Sequence, residues 1–312
     1  MKIENNLYFL GLTTGESFSI KMFPHWVKNL GIQNANLLGV DMNIRDTPQR
    51  YREFIERLIR DDNCRGAVIT THKLDLYNAA NDMFHQVDSF AESLQEVSCI
   101  VKREGKLFAS AIDPLSSKQA MDRFLTKDYF GIHGGEVLIF GAGGSALAIC
   151  CALCDRERDL PSKIIITNRS LPRLEEAQRK LKRYEDNTLF EYHLASESNE
   201  NDKLLAKLRP YSLIVNATGL GKDRPGSPIS DDVKFPCNTT AWDLNYRGDL
   251  GFLRQAKQQE MEQKLSVQDG WDYFVIAWAM VVSMVYNIDI DDKKTERLSQ
   301  MAAEIRKSIS CL

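Results

Sequence analysis

The chain has no apolar run long enough to cross a bilayer. Its most apolar stretch, Tyr273 to Tyr286, is interrupted by Ser283 and falls short of the about 20 residues that a span requires. That stretch reads as a buried core helix. An excess of charge of one sign is also missing. Forty Lys plus Arg face 43 Asp plus Glu, giving a formal net charge of −3 with the signs interspersed, so nothing advertises nucleic acid or a membrane surface as partner. The opening residues lack the basic and apolar segments of a secretory signal, and the expectation is a soluble, cytoplasmic protein. The cysteines are odd in number. The seven, at positions 64, 99, 150, 151, 154, 237 and 311, stand mostly in apolar surroundings that suit reduced thiols rather than disulfides. Cys151 and Cys154 have the spacing of a metal or redox pair, but there is no second pair and no cluster of His. They read as the small-residue face of a helix, and no metal is assigned.

What is present is length and an α/β rhythm. A chain of 312 residues makes roughly two domains of ordinary size. Strand-like runs (Leu7 to Leu10, Leu37 to Met42, Gly66 to Thr70) alternate with helical ones (Ser19 to Leu30, Pro48 to Asp61). A helix over Ser116 to Phe130 is predicted to lead into a second α/β series. Its strands are Val137 to Phe140, Lys163 to Thr167, Leu189 to Tyr192, Ser212 to Asn216 and Thr240 to Leu244, with helices at Ala146 to Asp155 and Leu250 to Glu260. A parallel sheet with crossover helices follows. Two final helical patterns, Asp269 to Asn287 and Asp291 to Ser308, are predicted to return to the first domain. The expected division is residues 1–115 with 267–312 as a substrate-binding domain, and 116–266 as a dinucleotide-binding domain of Rossmann type, with the active site in the cleft between them.

The strongest motif is Gly141-Ala142-Gly143-Gly144-Ser145-Ala146, which matches G-x-G-x-x-A between an apolar strand and a helix. Gly141 would permit the tight turn, Gly143 the approach of backbone to a pyrophosphate, and Ala146 close helix-to-strand packing. Amides at the helix start would face the phosphates. The bland alternative is a glycine-rich turn without ligand. The next strand ends at Asn168-Arg169-Ser170, where an NAD-preferring site would carry an acidic residue for the ribose hydroxyls. Arg169, with Arg173 one turn on, suits a 2′-phosphate instead, so NADP is expected over NAD. Solvated arginines at a helix start are the competing explanation.

In their order along the chain these motifs resemble the shikimate and quinate dehydrogenase family. Asn216-Ala217-Thr218-Gly219 resembles that family's next nucleotide loop, and Asp243-Leu244-Asn245-Tyr246 its following strand. Asp269-Gly270 resembles its return segment. Ser17-Phe18-Ser19 falls where the family has two serines that hold the substrate carboxylate, and Thr70-Thr71-His72-Lys73 on its motif with the reactive lysine. Ile112-Asp113 falls on the acidic residue of its Asn-Thr-Asp motif. The resemblance implies an NADP-dependent oxidoreductase with Lys73 and Asp113 catalytic. Ser17, Ser19, Thr70, Ser98 and Tyr246 would bind substrate. Gly141, Ala142, Gly143, Gly144, Ser145, Asn168, Arg169, Ser170, Arg173, Ala217, Thr218, Gly219 and Gly270 would bind the cofactor. The chemistry fits those residue types: transfer of a hydride creates or consumes an alkoxide, Lys can exchange a proton with that oxygen, and Asp can orient it. Taken singly, either charge is more often a solvated surface group.

Departures from the family bear on the substrate. Ser98 and Ala111 stand where the family commonly has Asn, Ala277 where it has Gln, and the lysine motif is about one residue tighter, with His72 in place of Pro. Fewer hydrogen-bonders for ring hydroxyls imply a different selectivity. The expected substrate is accordingly a small hydroxylated carboxylate or cyclic polyol. His72 reads either as a second acid or base or as a local hydrogen-bonder. Trp271 reads as a core aromatic, and Ser17 and Ser19 also suit a helix cap. Two rival readings are a non-catalytic sensor of NADP and a dehydrogenase on a folate-like one-carbon carrier. A monomer or a homodimer is expected.

Overall fold

The computed structural model describes residues 4–156, 159–222 and 224–310, with residues 309 and 310 described through their backbone alone. Cys311 and the first three residues lie outside the described residues. Contacts divide the chain into two compact units, Met1–Ile112 with Val275–Leu312, and Asp113–Phe274.

The first unit contains β1 (Asn5–Gly11), α1 (Phe18–Asn29), β2 (Ala35–Asp41), α2 (Pro48–Arg60), β3 (Cys64–Ile69), α3 (Lys73–Ala80), β4 (Gln86–Val87), α4 (Ser89–Leu94), β5 (Cys99–Arg103) and β6 (Lys106–Ser110). Its six-stranded sheet has the order β2-β1-β3-β5-β6-β4. β1 runs parallel to β2 and β3, whereas β5 is antiparallel to β3 and β6. Leu7, Tyr8, Phe9 and Leu10 are all buried, as a central parallel strand covered on both faces demands. Helix α2 starts at an N-cap Thr47 with Pro48 in its first turn, and buries Tyr51, Phe54, Ile55 and Leu58 in the core against Tyr8 and Leu10. The antiparallel hairpin of β5 and β6 is absent from the sequence reading. It turns on Glu104 and Gly105, both with positive φ, the geometry that a tight hairpin needs.

The second unit contains α5 (Asp113–Met121), α6 (Tyr129–His133), β7 (Val137–Phe140), α7 (Gly144–Cys154), β8 (Ile164–Asn168), α8 (Leu171–Leu181), β9 (Phe190–Leu194), α9 (Ser198–Leu205), β10 (Leu213–Asn216), β11 (Thr240–Asp243), α10 (Gly251–Gln263) and β12 (Ser266–Gln268). Its sheet is parallel throughout, in the order β12-β11-β10-β7-β8-β9. This is the doubly wound order of dinucleotide-binding sheets, in which the strand sequence reverses beside the first strand, here between β7 and β10. The expected fold class, two α/β units with one of Rossmann type, is what the chain adopts.

Two details differ from the sequence reading. The single helix expected over Ser116 to Phe130 is two, α5 and α6, separated by a turn in which Asp128 takes a left-handed conformation. The reason is tertiary: the Asp159 carboxylate accepts from the amides of Phe130 (2.7 Å) and Gly131 (3.0 Å), so a new helix start is fixed by a residue far along the chain. The boundary expected before residue 267 falls inside β12, which pairs with β11, so residues 267–274 go with the second unit. The segment Trp271–Tyr286 is a helix, α11, and Asp292–Ser310 another, α12. Within α11, Val275, Ile276, Trp278, Ala279, Val281, Val282 and Val285 are buried. No helix among the described residues is long and apolar enough to cross a membrane.

The described cysteines are free thiols. Cys150 and Cys151 are fully buried in α7, and burial pushes the Cys99 thiol up to about 12 and those of Cys64 and Cys154 to about 11. Such thiols are inert at neutral pH. Among the described residues, no group of His, Cys, Asp and Glu is arranged to hold a metal ion.

Candidate active site

In the first unit the expected substrate residues follow the carboxyl ends of β1 and β3. β1 ends at Gly11, and the chain makes one 3-10 turn, Thr14–Glu16, before α1. Ser17 is the N-cap of α1; its hydroxyl accepts from the Ser19 amide (3.3 Å) and donates to the Ser19 hydroxyl (3.2 Å). Thr70 is exposed just past β3, its hydroxyl donating to the Leu10 carbonyl at 3.2 Å, so the ends of β1 and β3 are tied together. Lys73, half-buried, opens α3, and its carbonyl accepts from the Val97 amide at 3.1 Å.

His72 is 1% exposed, and its Nδ1 lies 2.9 Å from the Tyr51 hydroxyl, while Nε2 has no partner. The Tyr51 phenol is pushed up to about 12, chiefly by burial and then by the charge of Asp75. These contacts favour the local hydrogen-bonder among the two readings of His72, because the ring is buried against Tyr51. Ser98 is buried, its hydroxyl accepts from the Ile112 amide (2.8 Å) and donates to the Ser110 carbonyl (3.4 Å), and its carbonyl accepts from Ile69. A hydroxyl engaged in this way ties down the main chain immediately before Asp113. Ala111 beside it is wholly buried.

In the second unit the glycine turn follows β7 at the point where the strand order reverses. Gly141 has φ +109°, and a Cβ there would meet the Ala217 carbonyl at 2.7 Å, so glycine is required. Gly143 is exposed with nothing within 4 Å of a Cβ position. No side chain caps α7, which leaves the amides of its first turn to an outside acceptor. Ala142 and Ala146 are buried and Gly144 and Ser145 half-buried. Open space over Gly143 and uncapped amides are what a pyrophosphate needs, so the residues fit a dinucleotide. At the end of β8, the Asn168 carboxamide accepts from the Ser170 amide at 2.9 Å, a turn that presents the exposed Arg169. Arg173 is instead drawn along its own helix to Glu176 at 3.0 Å, which also pairs with Lys180.

Beyond β10 and β11 stands a polar network. The Asn216 carboxamide oxygen accepts from the Thr218 amide (3.2 Å) and hydroxyl (2.7 Å), shaping Ala217, Thr218 and Gly219. Its Nδ2 donates to Asp243 Oδ1 (3.1 Å), which also accepts from the Asn245 amide (3.0 Å). Asp243 is fully buried, its Oδ2 has no partner, and burial pushes its carboxyl up to about 7 against the pull of these bonds. Gly270 packs on Leu244, whose carbonyl would lie 2.0 Å from a Cβ. Tyr246 and Trp271 are half-buried with ring centroids 5.7 Å apart, and Phe274 lies 4.8 Å from Tyr246, so both aromatics belong to one cluster. Asp113 opens α5 and is 5% exposed. Residue types alone did not reveal Asp243 as a buried titrating group, nor the contact between Thr14 and Asp41. The signal for Asp243 was its place at the end of an all-buried strand.

Sheet order and glycine turn together define the class, a two-unit α/β protein whose second unit has the dinucleotide-binding fold. No family model matches the chain. Over 174 residues it is 30% identical to the shikimate dehydrogenase (NADP(+)) of Streptococcus thermophilus, a match covering 55% of this chain and 57% of that protein. The match thus spans little more than half the length of that relative. Among solved structures, the shikimate 5-dehydrogenase of Thermus thermophilus, in complex with NADP(H) and shikimate, superposes with a TM-score of 0.70 at 24% identity, covering 96% of this chain and 99% of that one. The quinate dehydrogenase of Corynebacterium glutamicum, in complex with NAD, gives a TM-score of 0.75 at 15% identity over 96% and 99% of the two chains. The chain is thus similar to shikimate dehydrogenases in part of its sequence and in its fold, in line with the resemblance carried by the order of its motifs.

Proposed function

We propose that the protein is an NADP-dependent dehydrogenase that interconverts a secondary alcohol and a ketone on a small hydroxylated carboxylate or cyclic polyol. The observation that carries this reading is the uncapped, unobstructed glycine turn at the switch point of a doubly wound sheet, followed at the next strand end by an exposed arginine. The relatives named for shikimate and quinate support the substrate class. Bound NADP supplies or accepts the hydride. Gly141 to Ser145 and the amides at the start of α7 hold its pyrophosphate, Arg169 its 2′-phosphate, and Ala217 to Gly219 with Gly270 the remainder. Ser17 and Ser19 hold the substrate carboxylate through their hydroxyls, and the Thr70 hydroxyl holds the rest of the substrate. Lys73 Nζ exchanges a proton with the reacting oxygen, and Asp113 hydrogen-bonds a neighbouring hydroxyl. Ser98 acts through the chain it fixes.

The test is a panel of polyhydroxy acids and cyclic polyols, shikimate and quinate included, with NADP and with NAD, read by the absorbance of the reduced nicotinamide. Turnover of a member with NADP is expected, and Lys73→Ala should lower kcat at least a hundredfold with NADP affinity unchanged. NADP binding without turnover of any member would replace this reading by a coenzyme sensor.

A further inference from the structure

Thr14 and Asp41 make a contact that the proposed roles do not use. Thr14 is 4% exposed, although it sits in a surface turn. Its amide and its hydroxyl both donate to the same carboxylate oxygen, Asp41 Oδ1, at 2.8 and 2.6 Å. Asp41 itself is exposed at the end of β2, a place where an aspartate ordinarily has no structural duty. The two bonds from Thr14 hold its carboxyl below the usual range, so it stays ionised.

The surrounding backbone is shaped for this contact. A Cβ on Gly39 would lie 2.2 Å from the Thr14 hydroxyl, and one on Gly11 would lie 3.0 Å from the Thr14 methyl and 3.1 Å from the Thr70 hydroxyl. Glycine weakens an exposed strand, so its presence at Gly39 is explained by the room that Thr14 needs. From Thr14 the constraint passes directly to the serines. The Thr14 carbonyl accepts from the Ser17 amide at 3.0 Å, and the Ser17 hydroxyl then caps Ser19. Asp41, Thr14, Ser17 and Ser19 form one unbroken chain of hydrogen bonds.

We infer that Asp41 and Thr14 are positioning residues for the carboxylate subsite: they hold the turn that carries Ser17 and Ser19 in its binding geometry before substrate arrives. The inference rests on the proposed function, since it takes Ser17 and Ser19 as carboxylate ligands. Two hydroxyls set in advance bind an anion without the entropy cost of ordering a loop. Charge-assisted bonds to a carboxylate are the stronger kind, which suits a clamp at an exposed strand end.

The experiment measures KM and kcat for a carboxylate substrate, KM for a cyclic polyol lacking the carboxylate, NADP affinity, and hydrogen exchange of residues 12–19. It compares the wild type with Asp41→Ala, Thr14→Val, Thr14→Ser and Asp41→Asn. With Ala at 41 or Val at 14, KM for the carboxylate substrate should rise about tenfold while kcat moves less than about twofold, and exchange of the turn should accelerate. Thr14→Ser, which retains the hydroxyl, should restore KM. Asp41→Asn, neutral but still an acceptor, should fall between and keeps the question answerable if the Ala variant does not fold. KM for the neutral polyol should be unaffected in every variant. Faster exchange of the turn with an unchanged carboxylate KM would overturn the inference, as would equal losses on carboxylate and neutral substrates. A wild type that turns over no member of the panel would instead overturn the functional reading on which the inference rests.

Discussion

The fold alters the protonation of Asp243. In an unfolded chain its carboxyl would ionise near 3.8, whereas burial pushes it up to about 7 in the folded protein. Between those values the folded form holds a proton that the unfolded form has released, so stability falls as pH rises through the window, by up to about 1.4 kcal/mol per pH unit. Below it both forms are protonated and the penalty is absent. Asp243→Asn keeps an acceptor for Asn216 and Asn245 and places an uncharged amide where Oδ2 has no partner. Urea unfolding should show the variant gaining on the wild type between pH 5 and pH 8; a gap that stays constant across this range would contradict the assignment. The two arginines invite a paired measurement. Arg169 is exposed at the end of β8, while Arg173 is held by Glu176, so Arg169→Ala should raise KM for NADP by about tenfold or more with little effect on NAD, and Arg173→Ala should do far less. The sequence pointed to both alike, because the competing partner Glu176 is visible only once side chains are placed. Ser98 teaches the same lesson: its position in the motif order was legible, but its hydroxyl is taken up by Ile112 and Ser110, which no pattern of residue types announces.

At the scale of elements, the glycine turn separates backbone demand from ligand demand. Gly141 adopts φ +109° against the Ala217 carbonyl, so Gly141→Ala should destabilise the fold itself by a few kcal/mol. Gly143 has φ −90°, a conformation open to any residue, with nothing near its Cβ position. Gly143→Val should therefore fold with nearly the wild-type unfolding midpoint yet lose most of its affinity for NADP, because the side chain would stand where the pyrophosphate approaches. Retained affinity in a folded Gly143→Val protein would remove the turn from the binding site. Elements of this kind were readable because parallel strands are short apolar runs and the turn between β7 and α7 has its own residue signature. The break between α5 and α6 was not readable, since Asp159 dictates it from outside the local sequence. The hairpin of β5 and β6 was missed for a related reason. Its strands end in charged residues, Lys102, Arg103 and Lys106, that mask the alternation on which strand recognition depends.

For the molecule as a whole, each unit has its own sheet and its own core, one gathered around Tyr8, Tyr51 and Ile55 and the other around Leu138, Ile214 and Phe252. A coenzyme that binds only the folded protein stabilises it by RT ln(1 + [L]/Kd), about 2.7 kcal/mol at a hundred times Kd. The contacts proposed for NADP all come from residues 141–145, 168–170, 217–219 and 270, every one of them in Asp113–Phe274. Hydrogen exchange on the full chain should accordingly show NADP protecting the amides of these segments first. Direct protection of the turn before α1 should await the carboxylate substrate, because Ser17 and Ser19 lie in the other unit. The same protection should persist in Lys73→Ala, whose lysine is outside the coenzyme contacts, and should weaken in Arg169→Ala with NADP but not with NAD. Equal protection of both units by NADP alone, or equal protection by NADP and NAD in the wild type, would contradict this division of labour and with it the assignment of the 2′-phosphate to Arg169.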